Sequence, residues 1–251
     1  LNKRLDAGID ANILNEMIST VSFAVSRDDL KPALTGVYFK FEKEMLTAVA
    51  TDGHRLAKYV RSDFKAGEFQ GEVIIPRKFL NIITSYISND ESIQLWLGDS
   101  VFTATIGTDT IYTRIIDERF PDYQSVIPTD NEKEIKASCA DLLSAVKRVS
   151  IFSNKATHQI AIRAAKGSAT ITTEDPEKAS KAQETIDIEY DGESIDVGYN
   201  AAYLKDILAH MKSDKIVVKL NTPISAGLFY PTSLSNDAEI TMLLMPIRLN
   251  D

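Results

Sequence analysis

The 251-residue sequence lacks the features that mark secreted, membrane and nucleic-acid-coating proteins. Its one cysteine, Cys139, excludes an internal disulfide and is typical of a reducing compartment, so we expect a cytoplasmic protein. No apolar run is long enough to cross a bilayer, and no apolar segment follows Lys3 and Arg4 as it would in a signal peptide. The formal net charge of −8 argues against bulk attraction to nucleic acid but leaves room for a local basic surface.

Catalytic and metal-binding motifs are also missing. The sequence contains no glycine-rich nucleotide-binding loop, no GxSxG and no HExxH. The three histidines, His54, His158 and His210, are far apart, and none has the spacing of a metal ligand set. Cys139 falls where a helix is predicted to begin, and we favour a small buried residue over a reactive thiol. We therefore expect no catalytic residue, no metal and no cofactor.

The nearest approach to a catalytic pair is Asp52 and His54. Two residues apart on an extended segment, their side chains would point to the same face. Gly53 between them instead suggests a tight turn with positive φ. A structural turn, a ligand contact and catalysis all stay open, and we favour the turn because no nucleophile or oxyanion site can be identified.

A repeat of domain size is the most informative pattern that is present. Residues 71–97 read as strand, helix and strand, and residues 192–220 repeat that order about 120 positions later. Solenoid repeats have a period of about 20–50 residues, so this spacing is that of a whole domain. We predict two similar domains, 1–126 and 127–251, with a linker at 118–130 that contains Pro121 and Pro128.

Each half is predicted to run helix, strands, helix, strands. Apolar residues three or four apart predict helices near 11–26, 76–87, 138–152 and 200–211. Asp10, Ser138 and Asn200 are placed as N-caps, and Pro76 as a first helical residue. Strands are predicted at 34–41, 45–51, 55–60, 71–75, 92–97, 101–106, 110–116, 159–164, 168–173, 184–190, 194–197, 215–220, 225–230 and 239–245. The fold class is α+β, with both helices of each half on one face of antiparallel sheet.

Three further patterns have two interpretations each. Basic residues on predicted helices (Arg77, Lys78, Lys147, Arg148, Lys205, Lys212), set against acidic loops, form either a basic helical face or ordinary solvated side chains. Phe120-Pro121-Asp122-Tyr123 either locks two domains together or lines a groove at their junction. The apolar C-terminal stretch 243–249 packs either as plain core or as part of a binding surface, because an undocked terminus frays.

Three motifs, taken together, carry a resemblance to a known family. They are Thr51-Asp52-Gly53-His54-Arg55-Leu56, Arg119-Phe120-Pro121-Asp122-Tyr123 and Met245-Pro246-Ile247-Arg248-Leu249. In this order and spacing they resemble the bacterial beta sliding clamp, the processivity subunit of the replicative DNA polymerase. The resemblance covers essentially the whole chain and implies two tandem copies of the DNA-clamp domain.

The resemblance implies a non-enzymatic scaffold. Clamp subunits have three similar domains, and two subunits close a ring around duplex DNA. This chain is similar to the second and third domains only, and we expect the first domain to be absent. The partners implied are duplex DNA, bound without sequence preference by the complete ring, the replicative polymerase, the clamp loader and repair factors. A homodimer of the full-length protein is implied, and no membrane partner.

The resemblance also implies sets of site residues. A peptide-binding pocket between the domains would use Leu34, Thr51, Gly53, His54, Arg55, Leu56, Pro121, Val126, Asn200, Tyr203, Ser225, Leu243, Met245, Pro246, Ile247, Arg248 and Leu249. Arg77, Lys78 and Lys31 would contact DNA. Ile151 and Phe152 match the apolar pair that the family buries in its dimer interface, and we expect them to be exposed in this chain.

Overall fold

The computed structural model describes residues 5–66, 69–87 and 92–249. The chain divides into two compact units. The first comprises residues up to Tyr123 together with Ser235–Ile240, and the second comprises Gln124–Leu234 and the residues from Thr241 onward. The predicted domain boundary between residues 126 and 127 stays a prediction.

Within the described residues, the first unit contains eight strands and two α-helices. In chain order they are β1 (Leu5–Asp10), α1 (Ala11–Val21), β2 (Gly36–Glu42), β3 (Met45–Thr51), β4 (Arg55–Arg61), β5 (Gly71–Pro76), α2 (Arg77–Tyr86), β6 (Ser92–Leu97), β7 (Val101–Ile106) and β8 (Asp109–Arg114). The strands pair antiparallel in two sets of four, in the orders β5-β2-β3-β4 and β1-β6-β7-β8.

The second unit repeats this plan. Its elements are β9 (Lys133–Ser138), α3 (Cys139–Val149), β10 (Gln159–Ala165), β11 (Ser168–Asp175), β12 (Ser180–Glu189), β13 (Ile195–Asn200), α4 (Ala201–His210), β14 (Lys215–Leu220), β15 (Gly227–Pro231) and β16 (Ala238–Leu244), whose first three residues count with the first unit. The strand orders β13-β10-β11-β12 and β9-β14-β15-β16 match those of the first unit, and a short β12–β9 pairing joins the two sets. The predicted α+β class and the tandem repeat are confirmed.

Alternating burial explains why the strands form. In β7, Phe102, Ala104 and Ile106 are buried while the residues between them are partly exposed, which is the pattern of a sheet with one face on a core. The helices bury one stripe each, such as Leu14, Met17, Ile18 and Val21 of α1. Helices α1 and α2 contact each other in the first unit, as α3 and α4 do in the second.

Three of the four predicted helix starts are confirmed. The carboxylate of Asp10 accepts hydrogen bonds from the amides of Asn12 and Ile13, at 2.8 and 3.2 Å. The hydroxyl of Ser138 accepts one from Asp141, and the side-chain oxygen of Asn200 accepts two from the first turn of α4. The placement of Pro76 inside a helix is wrong, because Pro76 has the extended ψ of 133° and ends β5 before α2 begins.

Several predicted boundaries are also wrong for local reasons. The first helix ends at Val21 and passes into a 3-10 turn at Ser22–Ala24, and Pro32–Leu34 forms another 3-10 turn where a strand was predicted to begin. Strands β1 and β9 were missed. Both alternate apolar with polar residues, but Gly8 interrupts the first and three charged residues dilute the second.

Candidate functional site

The Thr51–Arg55 segment forms a tightly bonded turn between β3 and β4. One carboxylate oxygen of Asp52 accepts hydrogen bonds from the amides of His54 (2.9 Å) and Arg55 (3.1 Å). The hydroxyl of Thr51 donates to the Arg55 carbonyl at 2.7 Å and accepts from the Gly53 amide at 3.1 Å. Gly53 has φ of +92°, which favours glycine and fixes the direction of the turn.

The Arg55 side chain is held inside the first unit. Its Nε donates to the second carboxylate oxygen of Asp52 at 3.1 Å, and its terminal nitrogen donates to the Phe23 carbonyl at 3.1 Å. The guanidinium also lies 5.2 Å from the centre of the Phe23 ring, within cation–π range. Arg55 is only 8% exposed, so its first role is to hold the turn against the end of the first helix.

The hydrogen bonds of this turn show that Asp52 and His54 have different environments. Both carboxylate oxygens of Asp52 bind backbone amides or the Arg55 guanidinium, so the carboxylate is committed to the turn. The segment is a turn, as Gly53 indicated, so the argument that an extended segment points both side chains to one face does not apply. His54 is exposed at its apex, and Leu56, one residue into β4, is buried.

The Phe120–Tyr123 motif is anchored on one tyrosine of the first unit. Phe120 stacks on Tyr38 with ring centres 4.8 Å apart, and Tyr123 lies at 5.9 Å from the same ring. The Tyr38 hydroxyl donates to Glu72 at 2.6 Å, and burial together with this bond raises the pKa of Tyr38 above its usual value. Phe120 and Tyr123 are buried while Pro121 between them is exposed, so the motif presents its proline to solvent.

The C-terminal stretch docks on β13 of the second unit. The Ile247 amide donates to the Gly198 carbonyl at 2.8 Å and forms an isolated β-bridge there. A Cβ on Gly198 would lie 2.5 Å from the Ile247 carbonyl oxygen and 2.8 Å from a methyl group of Leu249. Gly198 is therefore required for close approach of the two backbones, and the tail lies two residues from Asn200, the cap of α4.

The remaining pocket residues occupy varied environments in their own units. Asn200 and Tyr203 are half-buried at the start of α4, and Ser225 closes a turn through the amide and carbonyl of Thr222. Leu34 ends a 3-10 turn in which its carbonyl accepts from the Ser26 amide. Leu243 is buried, Pro246 is half-buried, and Arg248 is exposed; Val126 and Met245 are large apolar residues that are 53% and 43% exposed.

The predicted basic residues lie at the start of α2 and in the loop before Leu34. Lys78 and Lys31 are exposed, and Arg77 is half-buried. Pro76 provides no side-chain cap, so the positive end of the α2 dipole lies beside Arg77 and Lys78. On α3, Lys147 and Arg148 are exposed, and Arg148 pairs with Glu184 of β12. The acidic residues predicted in loops include Asp90 and Glu91, which lie outside the described residues.

Ile151 and Phe152 form an exposed apolar pair after α3. They are 76% and 47% exposed, in a 3-10 turn whose Phe152 carbonyl accepts a hydrogen bond from the Ser180 hydroxyl at the start of β12. Solvent-exposed apolar pairs of this size often mark contact surfaces. The pair also borders the long strand β12.

Within the described ranges, no three His, Cys, Asp or Glu side chains are grouped so as to hold a metal ion. None of the helices there has both the length and the apolar character of a bilayer-crossing helix. Cys139 is buried, its thiol lies 3.4 Å from the Leu208 carbonyl, and burial raises the pKa of this thiol.

Three supporting residues were missed by sequence reasoning. Gly198 admits the tail, Phe23 receives Arg55, and Tyr38 receives the Phe120–Tyr123 motif. Gly198 directly follows the predicted strand 194–197 and lies inside the observed strand β13, where a glycine often marks a close backbone approach. Phe23 and Tyr38 are far in sequence from their partners, and no spacing rule connects them.

The chain is similar to known proteins in both of its units. Family models for the central and the C-terminal domain of the DNA polymerase III beta subunit match residues 8–122 and 124–248. The chain is 30% identical to the beta sliding clamp of Pseudomonas putida over 98% of this chain and 66% of that relative. For the beta sliding clamp of Vibrio cholerae the identity is 29%, over 94% of this chain and 63% of the relative.

A solved structure agrees with these matches. The crystal structure of the DNA polymerase sliding clamp from Pseudomonas aeruginosa with ligand superimposes with a TM-score of 0.94 at 28% identity, covering 99% of this chain and 67% of that chain. The chain thus spans somewhat less than two thirds of the length of the curated relatives above, at 66% and 63%.

Proposed function

Because this chain belongs to the DNA polymerase III beta subunit family, whose relatives above are beta sliding clamps, we propose that it serves as part of a DNA sliding clamp. The proposed role is non-catalytic and cytoplasmic. The complete ring would encircle duplex DNA and hold polymerase, clamp loader and repair factors on it. Support comes from family matches that run from residue 8 to residue 248.

The physical basis of processivity would be closure rather than tight contact. Basic side chains facing the duplex attract phosphates without reading bases, so the ring can slide. The net charge of −8 disfavours DNA on the remaining surface. A partner held on an encircling ring stays at high effective concentration near the primer end, so a weak contact suffices for processive synthesis.

We propose that short linear segments of partner proteins bind a pocket built from two half-sites, one in each unit. The half-site of the first unit comprises Leu34, the Thr51–Leu56 turn and Pro121. That of the second comprises Val126, Asn200, Tyr203, Ser225 and the stretch 243–249. Support comes from the hydrogen bond between Ile247 and Gly198, which keeps the tail ordered beside α4.

The side-chain chemistry of these half-sites suits a mainly apolar peptide. Met245 and Val126 offer exposed apolar surface, and the flexible thioether of Met245 can adapt to different anchors. His54 and Arg248 are exposed and would supply polar contacts. Arg55, whose guanidinium is bonded to Asp52 and Phe23, would act mainly by keeping the turn in shape.

The expected affinity is modest. Two anchors such as a leucine and a phenylalanine gain roughly 3–6 kcal/mol on burial, and association costs at least about 4 kcal/mol. The two anchors alone leave at most about 2 kcal/mol, so a contact on the order of micromolar, about 8 kcal/mol, needs roughly 6 kcal/mol more from the other apolar and polar contacts of the pocket. Such a contact lets partners exchange on one clamp.

A titration tests the pocket. A short peptide with a Gln-x-x-Leu-Phe-like sequence is added to the wild-type chain, to Met245→Ala and to Met45→Ala, a half-buried methionine outside both half-sites. We expect saturable binding to the wild type and to Met45→Ala, and a loss of about tenfold or more in Met245→Ala. Absence of binding at millimolar peptide, or equal binding by both variants, would contradict the pocket.

We propose that Arg77 and Lys78, with Lys31, contact DNA phosphates. The position of Arg77 and Lys78 at the uncapped start of α2 supports this, because cationic side chains and free amides there both attract anions. Fluorescence anisotropy with a short duplex at low salt tests it. The pair Arg77→Ala/Lys78→Ala should weaken binding and lower the salt dependence by about two counterions, while exposed Lys166→Ala should not. Equal effects would contradict the assignment.

We propose that Ile151 and Phe152 lie in the dimer interface of the complete clamp. Their 76% and 47% exposure supports a surface that another subunit covers. In the full-length protein, Ile151→Asp/Phe152→Asp should convert the dimer to monomer in sedimentation experiments, because two charges would be buried unpaired. The exposed apolar Tyr112→Asp is the control, and a dimer that survives the double change would remove this assignment.

A further inference from the structure

The five methionines of the chain, all within the described ranges, differ widely in exposure. Met17, Met211 and Met242 are buried, with 2% or less of their surface exposed. Met45 at the start of β3 is half-buried, and Met245 is 43% exposed. Methionine is among the residue types most often found inside proteins, so an exposed thioether is the unusual case. In the folded chain, Met245 is therefore the thioether that solvent reaches most easily.

The single thiol of the chain does not compete with Met245 for an oxidant. Cys139 is buried, its sulfur lies 3.4 Å from the Leu208 carbonyl oxygen, and burial raises the pKa of the thiol. Oxidation of cysteine follows its thiolate character and its exposure, and both are low here. A dissolved oxidant thus meets the Met245 sulfur before any other sulfur of the folded chain.

The backbone is attached on both sides of Met245. Leu244, directly before it, is fully buried and pairs with Gly227 in the sheet. Two residues after it, the Ile247 amide donates to the Gly198 carbonyl at 2.8 Å. These two attachments hold Met245 at the surface between them. Its exposure is therefore a property of the fold rather than of a frayed terminus.

Oxidation changes the character of a methionine side chain. A lone pair of the sulfur attacks one oxygen of a hydroperoxide, the O–O bond breaks, and a sulfur–oxygen bond forms. The sulfur is oxidised by two electrons, and hydrogen peroxide is reduced to water. The product, methionine sulfoxide, is polar and chiral where the thioether was apolar and flexible. Methionine sulfoxide reductases reverse the change, so the modification can act as a switch.

An oxygen atom on Met245 would lie in the proposed half-site of the second unit. Within the stretch 243–249, the exposed side chains are Met245 and Arg248, so Met245 is the exposed apolar one. A partner segment with apolar anchors offers the sulfoxide oxygen no hydrogen-bond donor. Burying that oxygen under such a segment costs free energy, whereas burying the thioether gains it.

We propose that Met245 is an oxidation-sensitive switch, at which one oxygen atom from a hydroperoxide lowers the affinity of the second unit's half-site for apolar peptide segments. The switch rests on the proposed peptide pocket and adds a mode of regulation to it. Partners bound through apolar anchors are released when peroxide rises. Reduction of the sulfoxide restores the apolar surface and the affinity.

Peptide mapping by mass spectrometry tests the selectivity of the oxidation. The native chain is exposed to hydrogen peroxide for increasing times, the peroxide is destroyed with catalase, and each methionine is assayed for one added oxygen atom. We expect Met245 to be oxidised at least about tenfold faster than Met17, Met211 and Met242, with Met45 between them, because exposure controls the rate. In urea the five rates should converge, since unfolding removes the protection.

Titration with the Gln-x-x-Leu-Phe-like peptide, made without sulfur, tests the effect on the pocket. The oxidised wild type should bind at least about fivefold more weakly than the untreated wild type, and a methionine sulfoxide reductase should restore binding to within about twofold. Met245→Leu has no sulfur at this position, so the same treatment should change its affinity by less than about twofold although Met45 is still oxidised. Met245→Gln, polar without any oxidant, should bind at least about fivefold more weakly than Met245→Leu.

The two possible failures give different results. If the untreated wild type does not bind the peptide, the pocket is wrong and the switch is wrong with it. If the untreated wild type binds and the oxidised chain binds within about twofold of it, the pocket stands and the switch is overturned. The switch is also overturned if a buried methionine of the native chain is oxidised as fast as Met245, or if treated Met245→Leu loses as much affinity as the treated wild type.

Discussion

The substitution Gly198→Ala should release the C-terminal tail from the second unit. The new Cβ would lie 2.5 Å from the Ile247 carbonyl oxygen, and ordinary van der Waals contact begins near 3.4 Å. The tail must therefore move away by roughly 0.9 Å, which is more than the backbone can yield locally without disrupting its packing. The 2.8 Å hydrogen bond from the Ile247 amide to the Gly198 carbonyl stretches beyond useful length.

The free-energy cost follows from the hydrogen bond and the apolar burial that the tail gives up. One backbone hydrogen bond contributes about 1 kcal/mol net, and the partial burial of Ile247 and Leu249 adds about 1–2 kcal/mol. Docking of the tail should weaken by about 2–3 kcal/mol, which is roughly 30- to 150-fold in the docking equilibrium. The loss of global stability cannot exceed this value, because the remaining core is untouched.

Native-state hydrogen exchange is the assay, followed at the Ile247 amide. Its exchange should accelerate by that factor, while amides in β14 change little. Gly8→Ala is the matched control, since Gly8 also lies in a strand but its Cβ would have 3.4 Å to its nearest neighbour. That change should be neutral or slightly stabilising, by up to about 1 kcal/mol, because alanine restricts the unfolded chain.

Two results would refute this reasoning. One is exchange of the Ile247 amide in Gly198→Ala within twofold of the wild type, which would mean that the tail tolerates the methyl group. The other is an equal acceleration in Gly8→Ala, which would point to a general softening of strands. The peptide titration adds a functional readout, in which Gly198→Ala should resemble Met245→Ala.

Three further perturbations follow from other interactions in the fold. Asp52→Ala leaves the 9% exposed Arg55 side chain without its ionic partner and should cost about 3 kcal/mol in urea unfolding. Glu189→Ala is the control, because it breaks a pair whose two side chains are 59% and 62% exposed and should cost far less. Equal costs would be inconsistent with a buried role for the turn. Burial raises the pKa of the Cys139 thiol and shields it from reagents. At pH 8 a thiol reagent should therefore react with Cys139 at least about 100-fold more slowly in the native chain than in the urea-unfolded chain. Comparable rates would argue against its burial. The pKa values of Tyr38 and Tyr199 are raised in the folded state, so the stability that these two tyrosines contribute is intact below about pH 10 and is lost as the pH rises further. Tyr199→Phe should therefore reduce the fall in unfolding free energy at alkaline pH. A fall as steep as in the wild type would contradict a raised pKa for Tyr199.

Local patterns were enough to predict most of the fold. The N-cap positions of Asp10, Ser138 and Asn200 follow from short-range hydrogen bonding, and the structure confirms them. Strand Met45–Thr51 was predicted to the residue because it lies between clear turn signals. The repeat of strand, helix and strand was visible because each copy has its own apolar periodicity.

The parts that could not be predicted depend on residues that are distant in sequence. Strand β9 is stabilised by pairing with β14, about 80 residues later, and its own composition is too charged to indicate a strand. The hydrogen bond of Arg55 to Phe23 likewise joins residues of which neither has a local signal. The pocket residues could be predicted only from the family resemblance, because spacing alone left three interpretations open for the Asp52–His54 pair.

The short β12–β9 pairing connects the two strand sets of the second unit more extensively than the two sets of the first are connected. Ile188 pairs with Ala137 and Glu189 with Lys136, and the tail adds the bridge from Ile247 to Gly198, whereas the described strands of the first unit are joined by the single bridge between Ile74 and Ile116. Opening one half of the second unit therefore breaks hydrogen bonds that hold the other half. We expect the second unit to unfold more cooperatively, and the first to lose its hydrogen-exchange protection earlier on heating.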